Sequence, residues 1–210
     1  MSFKNIYVIL VKPQLGENIG ATARALKNFN LTKLRIVNPR SEWPNQKAIA
    51  TSVGAKNILK SAKIYNSLDK SVGDLDLIFA TSSRIRKVNK KIISIFDIDK
   101  KLKNKQKIGI IFGPEASGLS NDEISCADYV VKIPTNKQFN SINLSHSVIL
   151  FCYQIFKFFS KKNFIYKSNY KSSKASKSEV SKLLNFIIKS LDKKGFLQPT
   201  HKRNSMINNI

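Results

Sequence analysis

Acidic side chains are scarce: 13 Asp and Glu stand against 37 Lys and Arg in 210 residues, a formal net charge of +24. A surface this basic repels cationic partners and concentrates polyanions, nucleic acid first and an anionic membrane second. Only six of the basic residues are Arg, so part of the excess is compatible with a Lys-rich composition that serves no partner. Cysteine and histidine are nearly missing, at Cys126, Cys152, His146 and His201. No CxxC or HxxxH spacing exists, which disfavours a metal site, and two thiols suit a reducing cytoplasm better than a disulfide framework. Long apolar runs are also lacking. Val148–Phe159 contains Gln154 and Lys157 and falls short of the roughly 18–20 residues of a membrane span. Met1–Val11 has no basic region followed by a long apolar run and a cleavage site, so no signal peptide is expected. Absent too are a GxGxxG after the first strand, a GxxxxGK[ST] loop and a GxSxG elbow, and the carboxylates are scattered. An ordinary Rossmann dinucleotide enzyme, a P-loop ATPase, an α/β-hydrolase and a metal-dependent nuclease are thereby disfavoured.

What is present is a chain with 42 % hydrophobic residues, enough for a core. Ile6–Val11 (IYVILV) is a continuous β-branched run and predicts a strand covered on both faces. Asn18–Phe29 has helical spacing, with Asn18 as a candidate N-cap, and Lys33–Val37 predicts the next strand. Ala48–Leu59 predicts a helix broken at Gly54. Leu75–Thr81, Lys107–Phe112 and Tyr129–Ile133 predict strands, while Ile92–Leu102 reads as mixed and weakly helical. Ser120-x-x-Glu123 predicts a capping box. Strands alternating with helices imply an α/β fold with a mostly parallel sheet flanked by helices.

Asn143–Phe159 predicts a long helix that is apolar around nearly its whole circumference. One sheet face cannot cover such a helix, so a homodimer interface through residues 143–159 is expected, the alternative being a central helix in a monomer. Residues 160–178 read as a Lys/Ser-rich linker. Residues 157–210 carry 13 basic and 2 acidic side chains, so the tail is the more basic part per residue. Ser176-x-x-Glu179 opens an amphipathic helix, and 179–210 reads as a short helical C-terminal extension, too short for a closed unit, beyond a first domain over 1–159.

Three segments carry the chemistry: NIGATARALKN at Asn18–Asn28 with Val37-Asn38-Pro39, IFGPEASGLS at Ile111–Ser120, and Ile133-Pro134 with SINLS at Ser141–Ser145. In this order and spacing they resemble the SPOUT-class (α/β-knot) RNA 2′-O-methyltransferases, over about residues 4–158. The opening VILVKPQLGENIGATARALKNFNLTKLRIVNPR looks like the TrmJ type, which methylates the ribose at tRNA position 32. The resemblance implies a trefoil knot, an obligate homodimer, S-adenosylmethionine as cofactor and tRNA as partner, with no metal. The alternatives are a related enzyme acting on another tRNA site or on ribosomal RNA, and a non-catalytic RNA-binding knot protein.

The resemblance also assigns roles. Thr81, Ser82 and Ser83 sit beside the adenosine; Ile133, Ile142 and Leu144 wall the adenine; Gly113, Glu115 and Gly118 belong to the cofactor loop. Glycine allows close backbone approach to a ligand, though each of these is equally explained by a tight turn. Arg24, on a helix face of Ala and Gly, is assigned to the catalytic centre, and a guanidinium there suits a phosphate. Ser141 and Asn143 are the other catalytic candidates, able to orient a ribose hydroxyl or to cap the long helix. Asn18, Arg84, Arg86 and Lys87 are candidate RNA contacts. His146 reads as a hydrogen-bonded interior or interface residue rather than a catalyst, and Phe139 either stacks on a base or packs.

Overall fold

β1 (Ile6–Val11) lies in the middle of the molecule because both of its faces are apolar. It pairs in parallel with β2 (Lys33–Val37) on one side and β6 (Ile108–Phe112) on the other. In the computed structural model, which describes residues 5–84, 89–103, 106–160 and 175–209, seven strands form one parallel sheet. The others are β3 (Lys63–Tyr65), β4 (Leu77–Thr81), β5 (Lys91–Ser94) and β7 (Tyr129–Lys132), and the order is β3-β2-β1-β6-β4-β7-β5. Alternation along each strand divides the core in two. Val8, Leu10, Phe79, Ile110 and Phe112 join the cluster on one face. Ile9, Val11, Ile78, Ala80 and Ile111 join the cluster on the other.

Helices cover both faces. α1 (Gly16–Asn28) packs on the first face beside α2 (Gln46–Thr51) and α3 (Lys56–Lys60). Gly20 permits this closeness, since a Cβ there would lie 2.0 Å from Thr51 Oγ1 and 2.3 Å from the Ala48 carbonyl. α4 (Leu68–Val72) and α5 (Asn121–Ser125) pack on the second face. α6 (Leu144–Phe159) lies against α1 and buries Leu144, Val148, Phe151, Cys152 and Ile155, with Phe151 edge-on to Phe112 at 5.3 Å between ring centroids. The opposite side of α6 leaves Ile149, Leu150 and Tyr153 exposed.

Several elements differ from the sequence expectation. α1 starts at Gly16, so Asn18 is a buried residue of its first turn and not the N-cap. The expected strand at Leu75 starts at Leu77, because the Leu75 amide donates to Val72 and the Asp76 amide to Lys107. Ile92–Leu102 is the edge strand β5 followed by a 3-10 helix at Ile95–Lys101, whose first turn is held by the Ser94 hydroxyl. β3 and α4, of three and five residues, were too short for a periodicity to register. The break at Gly54 falls between α2 and α3, with Gly54 at φ +76°.

The chain divides into two units, Met1–Phe164 and Ile165–Ile210. The second holds α7 (Lys177–Lys193), opened by the Ser176–Glu179 capping box, and α8 (Arg203–Ile207), tied to α7 by an Arg203–Asp192 ion pair. Residues 161–174, most of the expected linker, lie outside the described residues. Among the described residues no helix is long and apolar enough to cross a membrane.

One buried cation has no counterpart in the sequence reading. Arg35 of β2 is 3 % exposed, and its guanidinium donates to Asp74 at 2.6 and 2.9 Å and to the Ser71 carbonyl. It also lies over the Tyr7 ring at 4.2 Å. The Arg35 hydrogen bond holds the Asp74 carboxyl below its ordinary range. The pair therefore contributes stability above the unfolded carboxylate pKa of about 3.9 and loses it as pH falls through the lowered folded value. Asp74→Ala should lower stability by about 2 kcal/mol, less than a fully buried pair because Asp74 is half exposed. Urea denaturation at neutral pH should read this loss, and the gap from wild type should close in acid.

Candidate active site

The C-terminal ends of three neighbouring strands, β6, β4 and β7, open onto a cavity of about 230 Å³. This is where parallel α/β sheets place ligands, because the loops there diverge from the strand ends. Thr81, Ser82, Ser83 and Arg84 form one wall, following β4. The 113–118 loop after β6 forms the second. Ile133, Asn140, Ser141, Ile142, Leu144 and Ser147 form the third, after β7 and into α6.

Steric demands shape the 113–118 loop. A Cβ on Gly113 would fall 2.3 Å from the Leu119 amide nitrogen and 2.5 Å from the Gly118 carbonyl carbon. Gly113 is thus required because the loop folds back onto it, before any ligand is considered. The Gly118 amide closes the turn onto Pro114 at 2.8 Å, and Gly118 adopts φ +64°, in the left-handed region.

A hydrogen-bonded relay joins the three motif segments. Glu115 accepts the Gln14 amide at 2.8 Å and the Leu15 amide at 3.2 Å, placing a carboxylate at the N-terminus of α1, where the helix dipole favours negative charge. Glu115 also accepts Asn18 Nδ2 at 2.8 Å. Asn18 Oδ1 accepts Asn143 Nδ2 at 3.1 Å. Asn143 Oδ1 caps α6, accepting the Ser145 amide at 2.9 Å and the His146 amide at 3.4 Å. A carboxylate only accepts and a helix N-terminus only donates, so the orientation of both amides in between is dictated.

All nine positions named for the cofactor, Thr81, Ser82, Ser83, Gly113, Glu115, Gly118, Ile133, Ile142 and Leu144, line this one cavity, as do Ser141 and Arg84. Glu115, however, spends its oxygens on the α1 entry and Asn18, which makes it a positioning residue. Asn143 does not line the cavity; it caps α6 between the lining residues Ile142 and Leu144. Asn18, named for RNA, is 6 % exposed with both ends of its amide engaged, so it holds the site together from behind. Arg24 does not line the cavity of its own chain; it is exposed on α1 with no hydrogen bond or ion pair to a described residue. His146 is exposed rather than interior. Arg86 and Lys87 lie outside the described residues. Asn140 and Ser147 were missed; Ser147 was findable, three residues after Leu144 and so on the same helix face.

A second hollow, of about 280 Å³, shares Arg84, Pro114, Ser117 and Gly118 with the first and adds Lys12 and Glu123. Lys12 bonds Glu123 at 2.9 Å. Burial alone would raise the Glu123 carboxyl, but hydrogen bonds from the Ser120 backbone and Lys12 outweigh it and hold the pKa below its ordinary value.

The model of the SpoU rRNA Methylase family matches residues 5–153. The chain belongs to that family. It is 38 % identical over 202 residues to the tRNA (cytidine-2′-O-)-methyltransferase TrmJ of Methanocaldococcus jannaschii, covering 94 % of this chain and 86 % of that protein. It is 36 % identical to the tRNA (cytidine/uridine-2′-O-)-methyltransferase TrmJ of Photorhabdus laumondii, over 72 % of this chain and 64 % of that longer relative. The crystal structure of TrmJ from Z. mobilis superposes with a TM-score of 0.70 at 32 % identity, covering 97 % of this chain and 86 % of that one. The seven-stranded parallel sheet and its flanking helices are thus the SpoU methyltransferase fold.

Glu115→Gln tests the relay. The new amide turns one acceptor into a donor facing the Gln14 or Leu15 amide or Asn18, at a cost of about 1–3 kcal/mol. Thermal unfolding should fall accordingly, and Asn18→Ala added to it should cost less than in the wild type, because the two act through one network.

Proposed function

We propose that this chain transfers a methyl group from S-adenosylmethionine to a ribose 2′-hydroxyl of tRNA, at position 32 of the anticodon loop, acting in the cytoplasm as a homodimer. The observation that carries the reading is the cavity at the ends of β4, β6 and β7, lined by the second and third motif segments and tied to the first through Asn18. Its lining fits the nucleoside portion of the cofactor. Ile133, Ile142 and Leu144 offer apolar walls for a purine, and Thr81, Ser82 and Ser83 offer hydroxyls for a ribose. S-adenosylmethionine supplies a methyl group on a sulfonium, a strong alkylating centre. The trefoil knot of the class accompanies this fold in the proposal.

The protein's share of the catalysis is alignment, which can contribute much of the rate when the reacting atoms are held close and in line. Ser141, at the rim of the cavity, orients the 2′-hydroxyl. Asn143 holds the start of α6 and, through Asn18 and Glu115, keeps the 113–118 loop in register with it. Arg24 grips a backbone phosphate of the substrate, and as the 2′-oxygen bonds the methyl carbon and the carbon–sulfur bond breaks, the hydroxyl proton passes to that phosphate. The position of Arg24 outside its own chain's cavity lining, together with the exposed side of α6 at Ile149, Leu150 and Tyr153, supports a dimer in which Arg24 serves the partner's site. Arg84, Arg86 and Lys87 supply further phosphate contacts, favoured by the net charge of +24. Methylation of ribosomal RNA is the second reading, favoured by the description of the matching family.

Calorimetric titration with S-adenosylmethionine should give saturable binding near one per protomer; no binding to the folded protein would overturn the proposal. Arg24→Ala should lower methyl transfer at least about tenfold, roughly 1.4 kcal/mol of barrier, with unfolding unchanged. Mapping of methylated riboses separates tRNA position 32 from other tRNA and ribosomal sites.

A further inference from the structure

Phe139 is 79 % exposed, the most exposed large apolar side chain among the described residues. It does not sit on a helix or sheet face where neighbours could share its cost. It stands on a turn whose backbone is braced twice: the Phe139 amide donates to the Asn136 carbonyl at 3.1 Å, and the Gln138 amide to Asn136 Oδ1 at 3.0 Å. The turn thus presents the ring rather than letting it fold back. The three residues that follow, Asn140, Ser141 and Ile142, line the cavity. The ring therefore stands one residue from the rim at which the methyl-accepting ribose is placed in the reading above.

Charge selects among the occupants of such a ring. Lys137 is exposed on the same turn, and Arg84 lines the facing wall of the cavity. Between Tyr129 and Phe159 there is no acidic side chain at all. An exposed aromatic ring bordered by cations beside a nucleoside-sized cavity suits a nucleobase, which offers a flat apolar face and an anionic backbone together.

We propose that Phe139 is a substrate-positioning residue, stacking on an unpaired RNA base next to the ribose that is methylated. The proposal rests on the methyltransferase reading and adds a residue role to it. Stacking holds the base without reading its edges, so Phe139 governs how tightly the loop is held and leaves the choice of base to other contacts.

The experiment pairs kinetics with fluorescence, using the full chain and an anticodon stem-loop RNA carrying 2-aminopurine beside the acceptor nucleotide. Phe139→Ala should raise KM for the stem-loop roughly 10-fold or more. The kcat should change far less, and calorimetric affinity for S-adenosylmethionine should be unchanged. Phe139→Tyr and Phe139→Trp should restore KM, whereas Phe139→Leu should not. Wild type should quench the 2-aminopurine on binding, and Phe139→Ala should bind at higher protein concentration without that quench. Unchanged KM and quench in Phe139→Ala would overturn the proposal while leaving the methyltransferase reading standing. So would rescue by Leu, or a shift of Phe139→Ala to a different oligomeric state, which would assign the ring to a subunit contact. Absence of methyl transfer by wild type would instead sink the underlying reading, and the quench comparison would still decide whether the ring stacks on RNA.

Discussion

Glu115 can only accept hydrogen bonds, and the N-terminus of α6 can only donate them. Asn18 and Asn143 bridge the two, so each amide has one permitted orientation. The consequence extends beyond the four groups involved. The same carboxylate takes the amides of Gln14 and Leu15, and with them fixes where the chain enters α1. The 113–118 loop, the first turn of α1 and the start of α6 are thereby held in one register, although they are a hundred residues apart in places. Asn18 is shielded from water, where such bonds are stronger and an unmade one is costly.

Around this relay the site is built by close backbone approach. The loop after β6 can fold back only because Gly113 has no side chain to meet the Leu119 amide. α1 can lie against α2 only because Gly20 leaves room for Thr51 and the Ala48 carbonyl. Both glycines are therefore explained by the protein's own packing, which is a different reason from ligand approach. The walls they position remain mixed in character, with hydroxyls after β4 and apolar side chains after β7. Such a lining suits a ligand with both a flat apolar part and a hydroxylated part.

Much of the architecture was legible in local pattern. The β-branched runs at Ile6–Val11 and Lys107–Phe112 became the two central strands, as continuous apolar runs do when both faces are covered. The Ser120 and Ser176 capping boxes formed as spaced, because their bonds close within three residues. The short elements β3 and α4 did not register, and Ile92–Leu102 read as mixed and weakly helical because the strand residues Ile92 and Ile93 run straight into a turn set by Ser94. Arg35 was invisible for a different reason: its partners come from two distant segments, Tyr7 of β1 and Ser71 and Asp74 at the end of α4.

The sequence by itself determined the α/β class, the main strands and the three segments that the hydrogen-bonded relay joins, since each depends on neighbours within a few positions. It also carried the net charge that makes an anionic partner the natural one. Tertiary structure alone decided what the polar residues of those segments do. Asn18 reads as a cap or an RNA contact until Glu115 and Asn143 are seen to occupy its amide. That Arg24 stands outside its own chain's cavity lining is seen only once α1 is found to turn it toward solvent. A hydrogen bond between residues separated by 97 or 125 positions leaves no periodicity in the chain, so only the folded geometry could assign these roles.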